Sequence, residues 1–178
     1  MTVIKKSVAA CSVAAVVALT QQLAPGELRT SQNGLLLIGQ YEDCRLRAYH
    51  DTVGIPTIGV GSTKNVQIGD EICIEEAAMR MVADVKEAEQ CVNRYFNGQR
   101  MPQPVYDSVT SLVYNVGCYG TRWNKARNRP TSIALYAQNG NWPMVCTHIG
   151  DFNKAGGKVS RGLDNRRKLE QATCRGTR

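Results

Sequence analysis

The stretch YEDCRLRAYHDTVGIPTIGVG, residues 41–61, places three acids, a cysteine, a histidine and three glycines within 21 positions. Glu42 and Asp51 lie nine residues apart, and Thr57 follows six residues later. LRAYHD is compatible with a strand, TVGI with a turn and PTIGVG with a return strand, so the run reads as a hairpin or a small twisted sheet. Pro56 suits a strand start or an edge. Asp51 then falls at the turn and Thr57 on the returning strand.

Upstream, SQNGLLLIGQYED (31–43) reads as a helix capped by Ser31 or Thr30, with Leu35, Ile38 and Tyr41 on one face. Glu42 falls at its C-terminal end, where the macrodipole is negative and a carboxylate holds its proton more readily. A helix end and a hairpin turn can hold two carboxylates on opposite walls of a cleft. Glycoside hydrolysis uses such a pair: one acid protonates the leaving oxygen, and the other carboxylate works across the sugar. A threonine hydroxyl beside the second carboxylate can hold a water, and glycines let a polysaccharide approach the backbone closely.

Downstream the pattern is helical. Ala78, Val82, Val85, Ala88, Val92 and Tyr95 recur at steps of three and four, and Glu75 and Glu76 suit the first turn of that helix. Residues 106–116 form another helix, ended by Gly117. Shorter ones are expected at 132–138 and 142–149, and a closing one at 161–174. The fold class is therefore α+β, mainly α, with a small hairpin lobe and a larger helical lobe.

The 178 residues carry 22 Lys or Arg against 15 Asp or Glu, a net charge of +7, with 43% apolar content, enough for a core. The charge is uneven. Arg122 to Arg129 holds four basic residues and no acid, and from Lys154 onward eight basic residues face two acids. Solvated helix faces or a surface toward a polyanion both account for this. No nucleic-acid motif accompanies the charge, so nucleic acid is not an expected partner. His50 and His148 read as surface or hydrogen-bonded side chains, Trp123 and Trp142 as packing.

Seven cysteines stand singly along the chain: Cys11, Cys44, Cys73, Cys91, Cys118, Cys146 and Cys174. With no C-x-x-C pair and two histidines, no metal and no cofactor are expected. Disulfides and an oxidising compartment are. The odd count leaves one thiol over, and pairing cannot be read, since six cysteines already allow 15 connectivities.

Lys5 and Lys6 precede an uncharged run, residues 7–26, long enough to cross a bilayer. Its Ala, Val, Ser, Thr and Gln make a weak span. A cleaved signal peptide with a site after Ala18, a stable anchor and an anchor able to leave the membrane all remain open. Each exports the rest of the chain, which agrees with the cysteines.

The 41–61 stretch resembles the catalytic signature of the phage lysozyme family of the T-even type: a Glu, an Asp nine residues on, a Thr six further, and an I-G-x-G turn. SLVYNVG (111–117) resembles the family's later helix, and RGLDNRRKLE (161–170) its C-terminal G-L-x-x-R-R-x-x-E segment. The resemblance spans about residues 31–174. It implies a two-lobed lysozyme fold and cleavage of the β-1,4 bond between N-acetylmuramic acid and N-acetylglucosamine in peptidoglycan. It assigns Glu42 as general acid and Asp51 and Thr57 to the attacking water, with inversion. It suggests a cleft position for Asn115, for which a structural role serves equally. Asp43 and Ser62 depart from the Gly and His that many relatives carry there.

The N-terminal run resembles that of signal-anchor-release endolysins, in which a tethered, inactive enzyme is freed when the membrane depolarises. Residues 1–27 are then a releasable segment, with catalytic domain 28–178 divided into a first helix and β lobe (28–70) and a helical lobe (71–178). The enzyme is expected at the host inner membrane facing the periplasm, in contact through residues 7–26, and then soluble in the periplasm as a monomer. Cys11 becomes accessible only on release and Cys44 stands two residues from Glu42, so a Cys11–Cys44 disulfide formed by thiol–disulfide exchange is a candidate switch. The rivals are a lytic transglycosylase using Glu42 alone and a non-catalytic wall-binding protein.

Overall fold

The computed structural model describes residues 11–51 and 54–177. Lys5, Lys6, the start of the apolar run, and Thr52 and Val53 of the expected turn lie outside these.

The first helix among the described residues is α1 (Val13–Leu23), capped by the Ser12 hydroxyl, which accepts from the Ala15 N–H. Val16, Val17 and Thr20 of α1 are buried against α2 (Gln32–Gly39) and the first half of α3 (Ile74–Tyr95). Among the described residues no helix is long and apolar enough to cross a membrane. Between α1 and α2 the segment from Glu27 to Thr30 is firmly anchored. Arg29 donates to the carbonyls of Gly98 and Met101 at 2.6 and 2.7 Å and lies over the Tyr106 ring. Buried Glu89 and Asp107 accept from the backbone and hydroxyls of Thr30 and Ser31.

Helix α2 is shorter than the sequence pattern predicts. Ser31 caps it, its hydroxyl accepting from Gly34, and Leu35 and Ile38 face the core as expected. The helix ends at Gly39, and the Glu42 N–H donates to the Gly39 carbonyl at 3.0 Å, so Glu42 stands one turn beyond it. Tyr41 leaves the helix face and is exposed.

Strands β1 (Arg45–His50) and β2 (Pro56–Gly59) form the antiparallel hairpin, pairing Tyr49 with Thr57 and His50 with Pro56, with an irregularity between Arg45 and Tyr49. Pro56 opens its strand, where a missing N–H costs nothing to the ladder. Helix α3 joins the two lobes, a span of about 33 Å at 1.5 Å per residue. Its first half closes the cluster around Val16, Leu35, Ile38 and Met81. Its second half joins a larger cluster with α4 (Gln103–Val116), α6 (Ser132–Gln138), α7 (Trp142–His148) and α8 (Arg161–Cys174).

The expectation that everything after the hairpin is helical needs correction. After the short helix α5 (Cys118–Arg122) comes a small hairpin of β3 (Trp123–Asn124) and β4 (Arg129–Pro130), and a second, β5 (Lys154–Ala155) with β6 (Lys158–Val159), precedes α8. Asn128 takes a left-handed φ of +48° in the first, and Gly156 and Gly157 take φ of +55° and +80° in the second. Two-residue strands are too short to display alternation, so only the turn residues betray them.

Disulfides join Cys91 to Cys118 and Cys146 to Cys174 within the helical lobe, and Cys11 to Cys44, with Cα separations of 5.8, 5.5 and 5.3 Å. The thiol left over is Cys73, exposed, at the start of α3.

Candidate active site

Glu42 sits in the turn between α2 and β1, its side chain about one-fifth exposed. Its Oε1 accepts from the Arg166 guanidinium at 2.8 Å. Its Oε2 faces Gly61, where a Cβ would stand 3.0 Å away. Gly61 also takes φ of +80°, so close approach and backbone conformation both require glycine there.

Arg166 is held from behind. It is 3% exposed, and its Nε lies 3.3 Å from Oε1 of Glu170, which is fully buried. Ser111 donates to the same oxygen at 2.7 Å, and Arg167 Nε lies 2.9 Å from Oε2. Arg167 also donates to Asn115 Oδ1 at 2.9 Å. Burial pushes the Glu170 carboxyl up, and Arg167 and then Arg166 pull it back. The R-R-x-x-E spacing of α8 thus places two guanidiniums, three and four residues back, on one carboxylate.

On the hairpin, the Asp51 carboxylate accepts from the Ile55 N–H at 2.8 Å, and the Asp51 N–H donates to the Ile55 carbonyl, closing the turn. The Thr57 hydroxyl donates to that carbonyl at 3.0 Å and is 3% exposed. With its hydrogen committed to the Ile55 carbonyl, Thr57 can only accept from a further partner. Tyr49 lies between these groups in its electrostatics. Burial first and then the charge of Glu42 push its phenol up, Arg45 opposes, and Asp43 and Asp51 add smaller pushes.

Across the cleft floor, the Tyr114 hydroxyl donates to the Val60 carbonyl at 2.7 Å and is raised well above its ordinary value, chiefly by burial. Gly61 continues into a space of about 180 Å³ lined also by Thr63, Asp84, Glu87 and Tyr114.

The family profile described as Phage lysozyme matches residues 39–170. The chain belongs to the phage lysozyme family. The SAR-endolysin of Haemophilus phage HP1 is 39% identical over 175 residues, 93% of this chain and 94% of that protein. The SAR-endolysin of Escherichia phage P1 is 36% identical over 170 residues, 93% of this chain and 91% of that protein. Among solved structures, the active form of P1 phage endolysin Lyz matches with a TM-score of 0.87 at 34% identity, covering 96% and 97% of the two chains. The secreted inactive form of the same Lyz matches with a TM-score of 0.60 at 32% identity, covering 84% of this chain and 97% of that one. This chain is a phage endolysin and a lysozyme-type glycoside hydrolase.

In this phage lysozyme, the fold brings Glu42 beside the I-G-x-G turn and puts Asp51 and Thr57 together at the hairpin. Asp43 turns to solvent and pairs with Arg45 at 2.9 Å. Ser62 is buried and donates to Asp84 at 2.5 Å. Asn115 serves as the acceptor for Arg167. His50 meets the Gly54 carbonyl, and His148 stacks on Tyr136 and pairs with Asp151, as bland a use as the sequence suggested. Arg166 was missed by reasoning on the sequence. It sits inside the quoted RGLDNRRKLE segment, but nothing local marks one arginine of a basic run as the partner of an acid 124 residues earlier.

Burial pushes the Asp84 carboxyl above its ordinary value, the Ser62 hydrogen bond pulls it down, and Glu87 adds a push. The folded state therefore holds this proton more tightly than the unfolded chain. Its contribution to stability is present below the unfolded carboxylate range and is lost as pH rises through the folded value. Asp84→Asn is expected to melt higher than the parent at neutral pH, with the difference closing as pH falls into that range. Thermal melts across pH check this.

Proposed function

We propose that this endolysin hydrolyses the β-1,4 bond between N-acetylmuramic acid and N-acetylglucosamine in host peptidoglycan, with inversion, and that it is exported as a tethered, inactive chain activated on leaving the membrane. Glu42, through Oε2, gives its proton to the leaving oxygen while Arg166 fixes Oε1. Asp51, oriented by the Ile55 N–H, takes a proton from the attacking water. Thr57 accepts the other hydrogen of that water, because its own is committed to the Ile55 carbonyl.

The reading rests on one arrangement: α1 and Cys11 just before it grip the Glu42 turn at both ends. A Cβ at Gly39, three residues before Glu42, would overlap the Val13 side chain. Cys44, two residues after it, is bonded to Cys11. A chain whose residues 7–26 lie in the membrane has neither grip, nor Val16 and Val17 in the core. Burying two valines is worth about 3–6 kcal/mol. Cleavage after Ala18 would cut α1 inside this contact and remove Cys11, which favours retention of the segment.

Analysis of the products from purified peptidoglycan tests the chemistry. New reducing ends of inverted configuration support it, whereas 1,6-anhydro ends assign a lytic transglycosylase. Cys11→Ser tests the switch: delayed lysis and lower specific activity after membrane depolarisation are expected. Unchanged timing and activity would reduce the bond to an ordinary structural one.

A further inference from the structure

The two basic stretches noted in the sequence meet in the fold. The β3–β4 hairpin and the segment running into β5 border a half-open cavity of about 640 Å³. Arg127 and Arg129 line it from the hairpin and Lys154 from the other segment, with Asn124 and Asn153 among the walls. Among the described residues none of these three cations enters an ion pair. The one acid in the lining, Asp151, meets the His148 ring at 2.8 Å. Asp164, reached from the cavity wall by Asn153, is already paired with Lys168 at 2.7 Å. The lining thus sets three cations against a single carboxylate, beside amide groups.

We propose that this cavity binds the carboxylates of the short acidic peptides that hang from the glycan strands of the wall. The proposal rests on the peptidoglycan reading above and names a second place where the same substrate is held. Guanidinium forks match carboxylates two bonds at a time, and asparagine amides match peptide groups. The volume lies in the range of sites that enclose small ligands, roughly 300–1,000 Å³. A flat lipid surface does not reach into a concave pocket. A nucleic acid would call for stacking platforms, and Phe152, half-buried, is the lone aromatic of the lining. Asn153 also ties the wall to Asp164 at 3.1 Å, on the helix that carries Arg166. A stem held here is therefore held on the element that positions Glu42.

The experiment compares intact peptidoglycan with the same glycan strands stripped of their peptides by an amidase. The double variant Arg127→Gln/Arg129→Gln removes two exposed charges, so folding is retained, and Lys154→Gln probes the other segment. On intact wall the double variant is expected to raise KM about fivefold, the order of one well-made charge pair, with kcat unchanged. On stripped strands it equals the parent. The free stem tetrapeptide is expected to bind the parent, and to bind the double variant and Lys154→Gln more weakly. Its fully amidated form is expected not to bind. Equal loss on both substrates, no change on either, or equal binding of the amidated peptide overturns the proposal. Weaker binding of the variants to anionic lipid vesicles, with the tetrapeptide unaffected, overturns it in favour of a membrane surface. Reducing ends released from stripped strands by the parent keep the lysozyme reading in place whichever way these results fall.

Discussion

Glu42→Gln is expected to lower the rate of reducing-end release from purified peptidoglycan by about 10²–10⁴-fold, the usual contribution of a positioned general acid. The amide keeps an oxygen for Arg166 and fills the same volume beside Gly61, so the fold is retained. The Arg166 charge is still met by Glu170 at 3.3 Å. The loss should therefore appear in kcat, with KM on whole wall and the melting temperature nearly unchanged. Loss of wall binding in parallel with activity would place Glu42 in substrate holding instead. Undiminished turnover would remove it from the chemistry altogether.

Glu170→Ala is expected to destabilise the chain by about 3–5 kcal/mol, because it strips the anion from two buried guanidiniums. At a few degrees per kcal/mol, this lowers the melting temperature by about 10 °C. Arg166 and Arg167 are 3% and 1% exposed, so water cannot take over the role of the carboxylate without opening the lobe. Activity measured below the melting transition should fall as well, since Arg166 loses its rear support and with it the orientation it gives Glu42. Calorimetry and turnover at low temperature separate the two effects. A variant as stable as the parent would mean that the two arginines find other partners.

The hairpin and the long helices were legible because their signals are local. Pro56, the turn glycines, the apolar steps along α3 and the Ser31 cap each act over a few residues. The pair Tyr49–Thr57 then follows from the turn. Three features were not legible for a different reason. Helix α1 is built of Ala and Val, which suit a lipid environment and a protein core equally, so composition could not say that Val16 and Val17 are covered by α2 and α3. The early end of α2 sets Gly39 against Val13 of α1, a long-range contact that no local pattern announces. The partnership of Arg166 with Glu42 is decided by how α8 packs on α4, through Ser111 and Glu170, and leaves no trace in spacing. The Cys91–Cys118 and Cys146–Cys174 pairings belong to the same class, whereas a Cys11–Cys44 bond was already a candidate from the sequence, and the leftover thiol, Cys73, was fixed only by the fold.

The pairing of Glu42 with Arg166 has a consequence in the order of synthesis. Ribosomes complete Glu42, Asp51 and Thr57 in the first third of the chain, whereas the guanidinium that orients Glu42 is added 124 residues later. A nascent chain, or one ended early by a premature stop, carries the full reactive signature and lacks the group that aims it. On the proposed mechanism, such a fragment is expected to leave the wall uncut, and cutting waits for a nearly complete translation product.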